Sequence, residues 1–250
     1  MSPSAAPTST RPPRKGRSVA AYGGLAAGFL QGVATAVVKG DRRAGANVAA
    51  AKGCDRALRA ARVSLRVQGG EHLRSPRPAI FVFNHQSPLD VLLIGALVRR
   101  DITAVAKDSL RHHPVFGPIG YLIGAAFIDR SNAAAAREAM QPVVESLRAG
   151  VSIAIAPEGT RSPTAELLPF KKGPFHMAIQ GGVPMVPIVI RNAGELMAAH
   201  SAWISPGVVD VCVLPPFDTS AWTVEEIDGP VAEVREAFLR TLAGWPAPNR

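Results

Sequence analysis

The chain has 250 residues with a formal charge of +9, 47% hydrophobic and 19% charged, long enough for one sizeable core in one domain. Its two cysteines, Cys54 and Cys212, stand far apart and in no metal or redox spacing, which fits a reducing, cytosolic setting. The basicity is uneven: residues 1–74 hold 13 Lys and Arg against three acids, a charge of +10 that leaves about −1 for the rest. Such a patch attracts nucleic acid or anionic lipid. No zinc finger, basic zipper or RNA-binding aromatic motif accompanies it, and aromatics are only 6%, so nucleic acid is set aside in favour of a membrane surface.

In chain order, residues 1–17 are basic and rich in Pro, Ser and Thr, with nothing to bury, and are expected to form a disordered basic tail. From Val19 to Val38 there is no charge, and Arg11, Arg14, Lys15 and Arg17 precede this run while Lys39, Arg42 and Arg43 follow it. About 20 apolar residues between cationic clusters suit a bilayer surface or a span. The run is rich in Ala and Gly, so an interfacial helix or one packed on the domain competes with a span, and a cleaved signal peptide is a third reading. Residues 45–63 read as a second helix, with Lys52, Arg56, Arg59 and Arg62 in one cationic stripe that is either a solvated face or a lipid-headgroup contact. Residues 18–62 are thus expected to be membrane-associating helices, and 63–250 a catalytic domain.

From residue 63 the pattern alternates. Short apolar runs predict strands at 63–68, 79–83, 102–106, 125–128, 151–156, 185–190 and 208–214. Helical patterns fit 89–99, 132–149, 173–180 and 224–243. Strands separated by helices imply an α/β fold, a largely parallel central sheet with helices on both faces. In such sheets ligands lie beyond the carboxyl ends of strands, here residues 84, 107, 129 and 157.

At the first of these ends the sequence reads Asn84-His85-Gln86-Ser87-Pro88-Leu89-Asp90. A His titrating near neutrality can take a proton from a hydroxyl, and a carboxylate on its other nitrogen would fix the tautomer. The pair alone fits a structural histidine as well. Phe127-Ile128-Asp129-Arg130 offers either a local ion pair or a guanidinium for a phosphate. Ala156-Pro157-Glu158-Gly159-Thr160-Arg161-Ser162 fits a plain turn or a tight loop whose N–H groups and Arg enclose an anion. Phe170-Lys171-Lys172-Gly173 adds further cations. The adjacent His112-His113 lacks ligand spacing, and no metal site is expected.

Taken in order, NHQSPLD, GAAFIDR, PEGTRS, FKKG and VPMVPIVI resemble the 1-acylglycerol-3-phosphate acyltransferase family over roughly residues 63–215. The resemblance implies an α/β sandwich preceded by membrane-associating helices. It implies His85 as general base and Asp90 as its orienting acid, with Arg130, Glu158, Gly159, Arg161 and Lys107 holding the glycerol phosphate. The Val183–Pro187 block would shape the acyl site. One departure is Ala156, where the family usually carries an aromatic, which bears on the adjoining pocket.

The activity so implied is transfer of an acyl group from acyl-CoA or acyl carrier protein to the free hydroxyl of lysophosphatidic acid, without a further cofactor. The setting is the cytoplasmic face of the cell membrane, peripheral or held by one N-terminal helix, against anionic lipids. No G-x-S-x-G elbow occurs and neither cysteine neighbours a candidate base, which argues against a covalent hydrolase. The rivals are a same-fold enzyme acylating glycerol 3-phosphate, another lysophospholipid, an ornithine lipid or a glycolipid; a lipid hydrolase; and a non-catalytic membrane-binding protein.

Overall fold

The computed structural model describes residues 12–113, 116–128 and 141–245. The uncharged run forms α1 (Lys15–Lys39), which Gly40 closes in the left-handed region, φ 61°, donating its N–H to the Ala36 and Val37 carbonyls. Lys15–Arg17 therefore belong to the first turn of α1 rather than to the expected tail, of which residues 1–11 lie outside the described residues. The second helix is present as α2 (Arg42–Val48), a π-turn (Ala49–Gly53) and α3 (Cys54–Ala61). Asp41 caps α2 by accepting from the Arg43 and Ala44 N–H groups. Helix α1 packs on this unit backbone to backbone: a Cβ on Gly28 would fall 2.2 Å from the Gly53 Cα. In the cationic stripe Lys52, Arg59 and Arg62 are exposed and Arg56 is half-buried.

All seven strands stand where the apolar runs place them: β1 (Val63–Gln68), β2 (Ile80–Phe83), β3 (Ile102–Lys107), β4 (Ala126–Ile128), β5 (Ser152–Ile155), β6 (Met185–Ile190) and β7 (Gly207–Val213). Their order is β1-β7-β6-β2-β5-β3-β4, and every pairing is parallel except β6 with β7. Every residue of β2 and β6 is buried, which is why both read as unbroken apolar runs. The other helices are α4 (Leu89–Val98), α5 (Phe116–Ile123), α6 (Gln141–Arg148), α7 (Gly173–Gly181), α8 (Ala193–Leu196) and α9 (Asp228–Ala243).

Of the expected helix over 132–149, the part from Gln141 is present and the rest lies outside the described residues. Three helices differ from expectation, among them the short α8, which no expected pattern covered. The last helix starts at Asp228 rather than 224, because the Thr223 hydroxyl accepts the Glu226 N–H and offers that stretch a local turn instead. Helix α5 was not expected, since its sequence FGPIGYLI carries two glycines and a proline.

Successive β2 residues face opposite sides. Phe81 and Phe83 join Leu89, Leu93, Val186 and Ile188 in a core beneath α1, α3 and α4. Ile80 and Val82 join Leu147, Ile153, Met177 and Phe238 in a second core beneath α6, α7 and α9. The parallel strands β2, β3, β5 and β6 all end on one edge of the sheet, delivering residues 84–90, 107, 156–162 and 191 there.

Candidate active site

The loop after β2 turns because Asp90, in the first turn of α4, draws its backbone together. Asp90 is fully buried, and its Oδ2 accepts from the Gln86 and Ser87 N–H groups, both at 2.8 Å. The same oxygen lies 2.8 Å from His85 Nδ1. With a carboxylate as partner, Nδ1 carries the proton, and Nε2 keeps its lone pair. Nε2 has no partner among the described residues, and the imidazole is about one-fifth exposed. The ring also stands edge-on to Phe83, centroids 5.8 Å apart, so its other side is apolar.

Two side chains that the sequence did not single out hold this loop, together with one backbone N–H. Asn84 is buried, donates to the Ile190 carbonyl and accepts the Ile190 N–H, each at 2.7 Å, locking the loop to the end of β6. Ser87 donates to the Met197 carbonyl at 2.6 Å and accepts the Leu89 N–H at 3.1 Å. Ser162 donates its N–H to the His85 carbonyl at 2.7 Å. The available signal was polar residues at a strand end that otherwise reads as core.

The loop after β5 lies against the first. Glu158 is buried; its Oε1 accepts the His85 N–H at 2.7 Å and its Oε2 the Leu168 N–H at 2.9 Å. Burial pushes its carboxyl above the usual carboxylate range; those two N–H groups pull the other way, and the Asp90 charge adds to the push. Gly159 has φ 74°, a conformation strained for any residue with a Cβ, and its N–H returns to the Ala156 carbonyl. Arg161 follows, exposed and without an ion pair among the described residues.

Lys107 ends β3, exposed and likewise unpaired among the described residues. Lys171 packs its Cγ beside Gly159, while Lys172 is tied to Asp228 at 2.7 Å. Of the seven candidate residues the structure gathers His85, Asp90, Glu158, Gly159 and Arg161 into two touching loops, with Lys107 on the adjacent strand's end. Arg130 lies outside the described residues.

Beyond Glu158 and Gly159 a cavity of about 910 Å³ opens on the α7 side of the sheet, walled among others by Val105, Ile155, Ala156, Pro174 and Met177. Its volume is within the ~300–1,000 Å³ of small-molecule sites, and its described walls are mainly apolar. The Val183–Pro187 block is not among those walls, since its β6 residues lie in the two cores. Ala156, the departure from the family pattern, is a wall residue. Both cysteines sit away from this edge, and burial pushes the Cys54 thiol up to about 12, leaving no thiolate at neutral pH.

Residues 64–191 match the acyltransferase family model. A 1-acyl-sn-glycerol-3-phosphate acyltransferase of Limnanthes douglasii is 35% identical over 193 residues, 74% of this chain and 66% of that protein. The enzyme so named from Salmonella typhimurium is also 35% identical, over 166 residues, 66% of this chain and 67% of that protein. The chain therefore spans about two thirds of the length of these relatives. The crystal structure of the 1-acyl-sn-glycerophosphate acyltransferase of Thermotoga maritima superposes with a TM-score of 0.73 at 26% identity, over 92% of this chain and 96% of that one.

Proposed function

The chain belongs to the acyltransferase family, and from that premise we propose that it transfers an acyl group from a thioester to the free hydroxyl of lysophosphatidic acid, giving phosphatidic acid. The observation that carries this is His85, its Nδ1 held by Asp90 and its Nε2 without a partner among the described residues, on a loop bonded to the one bearing the exposed Arg161. Relatives named for this reaction align with about two thirds or more of the chain, and a solved structure so named shares its fold.

Nε2 removes the hydroxyl proton as the acceptor oxygen attacks the thioester carbonyl carbon, and the Asp90 carboxylate stabilises the imidazolium. Collapse of the tetrahedral adduct breaks the C–S bond, and the departing thiolate takes the proton back from Nε2. No acyl-enzyme forms and no cofactor beyond the acyl thioester, on CoA or acyl carrier protein, is consumed. Arg161 and Lys107, with Arg130, supply the positive charge for a phosphate dianion. The apolar cavity beside Glu158 gives a fatty chain somewhere dry to lie.

Helix α1 has 25 residues and is apolar enough to cross a bilayer by length and composition. Its packing favours a position in the membrane interface over a span, an interface we assign to the cytoplasmic face. Ser18 accepts the Ile204 N–H, Tyr22 donates to the Ala202 carbonyl, and Gly28 lies on Gly53. A spanning α1 would forfeit all three.

The test is an acceptor panel with labelled acyl-CoA: lysophosphatidic acid, glycerol 3-phosphate, other lysophospholipids, an ornithine lipid and a glycolipid. Lysophosphatidic acid should give the highest kcat/KM, and His85→Ala should abolish turnover with the melting temperature retained. A different best acceptor, or release of free fatty acid alone, overturns the assignment, as does an active His85→Ala.

A further inference from the structure

We propose that Glu158 is a positioning residue for His85 rather than a ligand of the acceptor's phosphate, splinting the base's loop to the loop that carries Arg161. Its two oxygens each accept one backbone N–H, from His85 at 2.7 Å and from Leu168 at 2.9 Å. The Ser162 N–H completes the bracket by donating to the His85 carbonyl at 2.7 Å. Both polar backbone groups of the base are thus held from the five residues 158–162, while Asp90 holds its ring.

A carboxylate offers only acceptors and a negative charge, so it repels a phosphate dianion and has no proton to donate to one. Glu158 is only 3% exposed, and charge-assisted bonds offset part of what burying the charge costs. The group suited to phosphate on this loop is Arg161, exposed and three residues further on. Occupation of Arg161 by the acceptor is one peptide away from the Ser162 bond to His85, so acceptor and base share one rigid loop.

The isosteric change Glu158→Gln discriminates between the two roles. An amide presents one acceptor and one donor, so it can hold the His85 N–H or the Leu168 N–H but not both. Steady-state kinetics on the full chain should show kcat falling about 10- to 100-fold, the scale of an ångström-level misplacement, with KM for lysophosphatidic acid within about twofold of wild type. Arg161→Ala should instead raise KM. In parallel, amide hydrogen exchange of residues 84–90 should rise in Glu158→Gln while the β2 and β6 amides stay protected.

A raised KM with unchanged kcat overturns the proposal, and so does unchanged exchange. The kinetic arm rests on the acceptor reading above; the exchange arm does not. A wild-type chain inactive on lysophosphatidic acid therefore sinks that reading and leaves Glu158 to be decided by exchange. If Glu158→Gln does not fold, Glu158→Asp, one methylene shorter, should loosen residues 84–90 and lower kcat less, and wild-type behaviour of that variant counts against the splint.

Discussion

In the proposed mechanism the imidazole of His85 acts as a base only while its Nδ1–H stays hydrogen-bonded to Asp90, and Asp90 does more than face a nitrogen. Its Oδ2 gathers the imidazole and two loop N–H groups, while Oδ1 is buried with no partner among the described residues. In Asp90→Asn the amide oxygen takes the Oδ2 position, because an NH2 there would meet three donors. The loop then keeps its shape, and the imidazolium loses its counter-charge in a dry setting. We expect kcat to fall on the order of 10²–10⁴, KM for the acceptor to hold, and the melting temperature to change little. A kcat within about threefold of wild type would show that Asp90 shapes the loop without assisting the proton transfer.

At the scale of elements, the N-terminal helices are fastened to the catalytic domain by two ion pairs. Arg99 forks onto both oxygens of Asp55 at 2.9 and 2.8 Å, and Arg43 meets Asp101 at 2.6 Å, with Asn47 on the same oxygen. The turn from α4 to β3 carries positive φ at Arg99 and Asp101, so the pairs also brace strained backbone. The Arg99 bond holds the Asp55 carboxyl below its ordinary value of 3.8. At Asp101 burial pushes upward, but the Arg43 and Asn47 bonds outweigh it, and the net shift is again downward. Carboxyls depressed by folding add stability that is present above 3.8 and lost as pH falls through the folded value. Both pairs are partly exposed, so each contributes about 1 kcal/mol at most. Wild type should therefore lose more melting temperature between about pH 5 and pH 3 than the Asp55→Asn, Asp101→Asn double variant. Equal losses would mean that the fastening is carried by packing alone.

The same elements show what the sequence could reveal. β2 and β6 were legible because a strand buried on both faces must be apolar throughout, and α1 because its run has no charge. Helix α5 was hidden, since its glycines serve contacts made only after folding: a Cβ on Gly120 would sit 2.5 Å from the Phe127 ring. The His85–Asp90 spacing announced the dyad. Glu158's bonds to His85 and Leu168 join residues 73 and 10 positions apart, which no local pattern encodes.

For the whole molecule, the question is how a catalytic edge reaches lipid. Helix α1 is about 37 Å long at 1.5 Å per residue. Its first turns rest on residues 202–204, beside the loop that holds Ser87 through Met197. Beyond its last turn, Arg42 bonds the Tyr121 and Leu122 carbonyls at the sheet's opposite edge. The helix therefore runs from the catalytic edge to the far one, and its outer row of Val19, Leu30, Val37 and Val38 is exposed along that length. A bilayer meeting that row would find the catalytic edge opening beside it at headgroup depth, where a lysophospholipid's phosphate and free hydroxyl lie. In that arrangement the row would supply apolar contact and the +10 of the first 74 residues would supply attraction to anionic lipid. Leu30→Glu with Val37→Glu should weaken sedimentation with anionic vesicles about tenfold or more, since each change removes buried apolar area and adds a repelled charge. The melting temperature should hold, because neither side chain packs on the domain, and turnover of a short-chain, water-soluble acceptor should hold as well. Wild-type binding should also fall as salt rises, through screening of the cationic residues. Binding that survives both glutamates would move the contact from α1 to the cationic stripe of Lys52, Arg56, Arg59 and Arg62, and with it the orientation of the catalytic edge.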